Sequence, residues 1–289
     1  MPLRVGYVRE HFCSPLLQFN EIDQGSTFTL VECPSGTGQL ISKLTNDEID
    51  IAIALTDPLI AGIAKGSTAY KLVGSYVTSP LKWAVITGKD STYNEIQDLK
   101  GTTLGISRNG SGSQTMAYVM AKQNNWRTDD LKFQINNDIR GLIDSVNDGS
   151  TSAFMWEWFT TKPFVDAGEV RFIGAVPTPW PSWLIAAHPT RAPASDVKSF
   201  LAGLTKHVKE FASPEARAGP SVEFVKRTFG YPEEDVKAWM KNVSYPDDCA
   251  KLSPNNNIIA ETLDFLSQAG AVSNKTQDFN VDDFLFHYE

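Results

Sequence analysis

Thr103-Leu104-Gly105-Ile106-Ser107-Arg108-Asn109-Gly110-Ser111-Gly112-Ser113 is the stretch that decides how this chain is read. A short apolar run feeds a glycine- and serine-rich turn, and Met116, Tyr118, Val119 and Met120 then continue at helical spacing to about Asn124. The pattern is strand, loop, helix. Unpaired backbone N–H groups and the positive end of the helix dipole meet at such a junction, so the loop can receive an anionic or strongly polar group. Arg108 adds a full charge. The plainer reading is an ordinary βα turn with a serine N-cap.

The same design recurs on either side of this stretch. Residues 3–8 read as a buried strand, and Ser14-Pro15 opens a helix with a serine N-cap and proline at the first turn, running to about Phe19. Thr27 to Glu32 is strand-like, and Pro34-Ser35-Gly36-Thr37-Gly38 turns into a helix with Leu40, Ile41 and Leu44 on one face. Ile51-Ala52-Ile53-Ala54-Leu55 is an apolar run of the kind found in strands covered on both faces, and Thr56-Asp57-Pro58 caps a helix ending near Gly66. Further strands are expected at 71–77, 83–87, 132–135, 152–156, 170–175 and 183–187, with helices around 93–99 and at 140–147. From Ser195 onward the pattern is helical, punctuated at Pro214, Pro220, Gly230, Pro232, Pro246 and Pro254.

The two halves repeat each other. Val5-Gly6-Tyr7-Val8-Arg9 corresponds to Leu104-Gly105-Ile106-Ser107-Arg108, which sets Ser14 opposite Ser113, both expected to cap helices. Leu40, Ile41 and Leu44 correspond to Leu142, Ile143 and Val146, Ala52-Ile53 to Phe154-Met155, and Leu55 to Glu157. Two α/β lobes of one design follow.

A chain of 289 residues can bury two medium cores. Its 42% hydrophobic, 11% aromatic and 21% charged residues describe a globular protein rather than a fibre or a disordered chain. A net charge of −8 argues against nucleic acid as a partner. No apolar run reaches the ~20 residues needed to span a bilayer, so membrane insertion is not expected. Cys13, Cys33 and Cys249 are an odd number at wide spacing, neither a disulfide framework nor a thiol metal site. Because residues 3–8 already read as a core strand, no signal peptide is expected and a cytoplasmic location is the expectation. The sequons at Asn109, Asn242 and Asn274 matter only in a secreted protein.

In parallel α/β sheets ligands sit beyond the carboxyl ends of the strands, which selects the loops at 9–14, 34–38, 56–58, 76–80, 108–113, 136–140, 156–159 and 177–183. They carry flat surfaces in Phe12, Tyr76, Trp156, Trp158, Trp180 and Trp183, cations in Arg9, Arg108 and Arg140, and carboxylates in Glu10, Asp57 and Glu157. The ligand-binding candidates are Glu10, His11, Phe12, Ser35, Thr37 and Asp57 from the first lobe, and Arg108, Ser111, Ser113, Trp156, Glu157 and Trp180 from the second. No cofactor or metal is expected.

Residues 3–16, the segment Pro34 to Leu40 with Asp50 to Ala54, and Asp98-Leu99-Lys100-Gly101 through Gly110-Ser111-Gly112-Ser113 together resemble the type II periplasmic-binding-protein fold. The nearest group is the one that binds nitrate, sulfonates and thiamin precursors, and the lack of a signal peptide resembles an intracellular, fungal branch. The resemblance implies a discontinuous first lobe, 1–86 with 188–289, a second lobe at 87–187, crossovers at Trp83 to Gly88 and Leu184 to Pro189, and hinge closure on a small, flat or anionic metabolite.

Two other functions compete. The fungal synthase that makes the thiamin pyrimidine shares this fold, but its cysteine-rich run is missing, since no two cysteines here are closer than Cys13 and Cys33. A scaffold that has lost its ligand is compatible with all but the crowding of aromatics on the loops. A hydrolase elbow fails because Asn109-Gly110-Ser111-Gly112 has its glycine one place too close, and dinucleotide binding fails because Ile41 stands where a third glycine is needed.

Overall fold

The computed structural model describes residues 1–253, 257–273 and 278–288; Pro254 and the sequon at Asn274 fall outside them. The chain divides into two compact units. The first holds residues 1–79, 180–261 and the described residues from 278 on, and the second holds 80–179 with 262–273.

In the first unit β1 (Leu3–Tyr7), β2 (Phe28–Glu32), β3 (Ile51–Leu55), β4 (Lys71–Val77) and β10 (Trp183–Ala187) form one sheet in the order β2-β1-β3-β10-β4. β1 pairs in parallel with both β2 and β3, whereas β10 runs antiparallel to β3 and β4. In the second unit β5 (Lys82–Gly88), β6 (Thr103–Ile106), β7 (Lys132–Ile135), β8 (Ala153–Glu157) and β9 (Val170–Pro177) take the order β7-β6-β8-β5-β9, and β5 is the antiparallel member. The two orders are the same design, as the internal repeat requires.

The repeat extends to single contacts. Gly6 stands beside Ala52, and Gly105 beside Phe154, so the corresponding residues pair in both sheets. A Cβ on Gly6 would come within 2.6 Å of Leu40 Cδ2, and one on Gly105 within 3.0 Å of Leu142 Cδ2. Each glycine therefore makes room for the leucine of the helix that packs on its strand. Those helices are α2 (Thr37–Thr45) and α5 (Ile139–Asn147), and around α5 the second core gathers Ile86, Leu142, Ile143, Val146, Phe154 and Val170. β3 is buried along its first four residues, which explains a strand without alternation.

The change from one unit to the other falls earlier than the expected boundaries at 86/87 and 187/188. β5 is hydrogen-bonded along its length to β8 and β9, and β10 to β3 and β4, so each crossing strand belongs wholly to the sheet it enters. The changeovers lie before these strands, at Ser79/Pro80 and Pro179/Trp180, where proline interrupts the ladder. Two capping expectations also change. Ser111 caps α4 (Gly112–Gln123), accepting from Gln114 N, so Ser113 is already inside the helix. Ser14 is the first residue of α1 (Ser14–Asp23) and its hydroxyl donates to His11 O at 2.8 Å. The helix expected around 93–99 is a single 3-10 turn, Ile96–Leu99, closed by a capping box between Glu95 and Asp98. After β10, α7 (Ala194–Ala212) packs on α1, and Gly203 accommodates the ring of Phe19.

Candidate functional site

In the first unit the carboxyl ends of β1, β2, β3 and β4 and the start of β10 share one edge, because Trp183 on antiparallel β10 faces Leu55 and Val77. The candidates there are mostly taken into the structure. His11 is fully buried, with its ring 4.7 Å from Trp239 and 5.3 Å from Tyr231, both edge-on, and 4.3 Å from Phe12. Burial pushes its pKa down to about 3, so it is a neutral core residue at physiological pH. Phe12 is buried against Trp183 and Trp239, and its carbonyl accepts hydrogen bonds from the hydroxyls of Tyr76 and Tyr245, at 2.8 and 2.9 Å.

Thr37 is buried and its Oγ1 accepts from Leu55 N at 3.2 Å, tying the start of α2 to the end of β3. Asp57 is buried in the first turn of α3 (Thr56–Ala64), where a carboxylate suits the dipole, and Trp180 is buried beside the β10 entry. Thr56 holds that entry, donating from Oγ1 to Pro181 O at 2.5 Å and from its N–H to Ser182 O. Ser35 is exposed and Glu10 is half-buried.

In the second unit β6, β7, β8 and β9 end on the edge where β5 begins, since Trp83 faces Glu157 and Lys82 faces Pro177. Here the candidates are charged and more accessible. Arg108 is half-buried, no ion pair or side-chain hydrogen bond joins it to another described residue, and burial pulls its guanidinium below the usual arginine value. It precedes Ser111 and Ser113, both buried. Their hydroxyls are 2.8 Å apart, and Ser113 Oγ accepts from Ser107 N at 3.2 Å, so these serines brace the turn that presents Arg108. Arg140 differs: it pairs with Asp144 at 3.0 Å and Glu169 at 2.8 Å, which neutralises it as an anion partner.

Glu157 is buried at the end of β8 and caps α6 (Trp158–Asp166), its Oε2 accepting from Thr160 N at 2.7 Å. Burial raises its pKa to about 7, although the backbone N–H groups of Thr160 and Phe159 and the charge of Lys82 pull the other way. The Lys82 ammonium lies 3.4 Å over the Trp158 ring, and Trp158 in turn rests on Phe172 with centroids 4.1 Å apart. Trp156 is half-buried and packs on the core around α5.

Strand-end loops with these properties at matching positions of two repeated sheets are the layout of a binding-protein fold, and comparison with known proteins agrees. The Candida albicans CA3427 gene product, described as defining a new family with the generic periplasmic binding protein fold, is 31% identical over 99% of this chain and 96% of its own, with a TM-score of 0.87. The chain belongs to the CA3427-like family. The model of that family, Ca3427-like PBP, matches residues 83–176, nearly the whole second sheet. Two sulfonate-binding proteins share the fold at lower identity. The alkanesulfonate-binding protein SsuA from Xanthomonas axonopodis pv. citri, bound to MOPS, is 17% identical over 95% of each chain with a TM-score of 0.73. The aliphatic sulphonate binding protein SsuA from Escherichia coli is 15% identical over 99% of this chain and 92% of its own, with a TM-score of 0.67. No curated protein gives a significant match.

Within this CA3427-like chain Lys82 is the charged edge residue that the loop reading passed over. Its signal is legible only with topology: it precedes an apolar run, and it meets the end of β8 because β5 enters the sheet antiparallel between β8 and β9. Among the described residues no group of histidine, cysteine, aspartate and glutamate is placed to hold a metal ion, and no helix is long and apolar enough to cross a membrane.

Proposed function

We propose that this protein binds a small organic anion at the strand-end edge of its second unit, and that the ligand's other end is held by the first unit so that binding closes the two upon it. The observation that carries this reading is Arg108. A half-buried guanidinium without an ion pair among the described residues is costly unless an anion completes it, and it stands at the turn into α4, where the helix dipole favours the same charge. Lys82, held over the Trp158 ring on the same strand-end edge, supplies a second cation for such an anion. The sulfonate ligands named for the two SsuA proteins belong to this chemical class, as do phosphorylated thiamin precursors. Three buried, unpaired thiols support a reducing compartment such as the cytoplasm.

A thermal-shift screen of sulfonates, phosphorylated pyrimidines, pyridoxal phosphate and amino acids, with native mass spectrometry of the purified protein, tests the reading. A ligand present at about 100 times its Kd adds about 2.7 kcal/mol and raises the melting temperature accordingly. Stabilisation by anions that is lost in Arg108→Ala is the expected result. Stabilisation by none of them overturns it.

A further inference from the structure

The repeat supplies an internal control for the second unit's edge. Leu55 ends β3 and Glu157 ends β8 at corresponding positions, each is the residue before a helix, and their backbones coincide: φ −60°, ψ 139° for Leu55 and φ −62°, ψ 137° for Glu157. Leu55 makes this turn without any side-chain cap, so the backbone does not require a carboxylate there. The facing strand differs in the same sense. Where the first unit has Ser182 before Trp183, hydrogen-bonded to Ser79 O at 2.8 Å, the second has Lys82 before Trp83. The second unit thus replaces an apolar and a neutral residue by a buried acid and an exposed cation, side by side, at the edge where the ligand is proposed to bind. Burying a carboxyl costs stability, and this fold shows how to avoid it.

We propose that Glu157 and Lys82 link anion binding to proton uptake: the bound anion is matched by Lys82 and Arg108 while the Glu157 carboxyl takes a proton. This rests on the binding reading above. Charged and polar groups on the elements packed against β8 bear on Glu157. Lys82 on β5 attracts its charged form, and α6 offers the N–H groups of Thr160 and Phe159 and carries the Lys162–Asp166 pair. α5, which also packs on β8, brings Arg140 and Asp144, and these pair with each other. The carboxyl buried beside Lys82 at this edge is that of Glu157, and its charge is the one an incoming anion meets. Its carboxyl, poised by burial near neutrality, makes the change accessible at physiological pH. By linkage, the affinity for an anion falls as pH rises through the free protein's Glu157 pKa, and the proton is bound together with the ligand.

The test is isothermal titration calorimetry of the full chain with ethanesulfonate, an anion that does not titrate in the range used, from pH 6 to 8.5. Buffers of different ionisation enthalpy count the protons. For the native protein Kd rises about tenfold between pH 6 and pH 8 and close to one proton is taken up per ligand at pH 8. Glu157→Gln keeps an acceptor for Thr160 N and binds with no pH dependence and no uptake. Glu157→Leu, which copies Leu55, gives the same flat profile should the glutamine variant fail to fold. Binding by the native protein that is flat with pH, or pH dependence retained in both variants, overturns the proposal and leaves the binding reading intact. Absence of binding in every protein at every pH overturns both.

Discussion

Lowering the pH from 7 to 5 should remove a contribution of His11 to stability, and the size of that contribution follows from burial. The folded-state pKa is about 3 and the ordinary value is 6.5, so the native state keeps His11 neutral while the unfolded chain takes up its proton. The sign is that of a depressed histidine: the stability is fully present above about pH 6.5 and is lost as pH falls toward 3. At pH 5 the unfolded histidine is almost wholly protonated and the native one is not, which costs about 2 kcal/mol. Because the folded value lies well below 5, this loss is set by the unfolded state and does not depend on how far below it lies. Urea denaturation followed by tryptophan fluorescence at pH 7, 6 and 5 measures it, compared with His11→Gln, which cannot titrate. Relative to the variant, native protein should be about 2 kcal/mol less stable at pH 5 than it is at pH 7. Equal changes in the two proteins would mean that His11 titrates normally in the fold, which the ring cage of Phe12, Tyr231 and Trp239 does not allow.

Three further outcomes can be measured. Gly74→Ala should cost about 3 kcal/mol or more, seen as a fall in Tm, because its Cβ would enter the carbonyl of Cys249 in the segment that lies over β4, where Ser75 N donates to Lys251 O at 3.0 Å. Arg108→Ala should leave Tm within about 1 kcal/mol of native stability and weaken any sulfonate or phosphate ligand by tenfold or more in calorimetry. Asp50→Asn should cost about 1–3 kcal/mol in urea, since burial pushes the Asp50 carboxyl up but Arg4, donating from its N–H, Nε and Nη2, outweighs that and holds it below the usual range. The difference should vanish as acid protonates the native Asp50.

Most of the fold is readable from local pattern. Ile51–Leu55, Lys71–Val77, Lys132–Ile135 and Trp183–Ala187 are strands at their expected bounds, because a continuous or alternating apolar run between turn residues leaves little choice. The repeat is readable for a physical reason too: Gly6 and Gly105 must stay small for Leu40 and Leu142, so the pattern survives where the rest has diverged. The crossing strands are different. Nothing in Lys82–Gly88 says that it enters the second sheet antiparallel, since hydrogen-bond partners are set by tertiary pairing. That misplaces the boundaries and hides Lys82. His11, Phe12 and Thr37 stand on strand-end loops as expected and are buried in the packing of those loops. Residue type and loop position do not distinguish a side chain that faces the edge from one that turns under it.

Glu157 and His11 together give the protein a stability profile that neither would produce alone. Glu157 has the opposite sign to a salt-bridged acid: its folded pKa is about 7 against an ordinary 4.5, so its stability contribution is present below pH 4.5 and is lost as pH rises through 7, about 3 kcal/mol in all. His11 loses on the acid side, from 6.5 downward. Between pH 4.5 and 6.5 the native state holds the Glu157 proton and refuses the His11 proton while the unfolded chain does the reverse, so the two slopes cancel. The pair by itself therefore gives a plateau there, falling on the alkaline side until about pH 7 and on the acid side below 4.5. Glu157→Gln should remove the alkaline fall and make the protein lose stability steadily as pH drops from 6.5, whereas His11→Gln should make it gain stability over the same range. The opposite tilts of the two variants, measured by urea denaturation in one buffer series, separate this balance from a general effect of net charge, which would tilt both the same way.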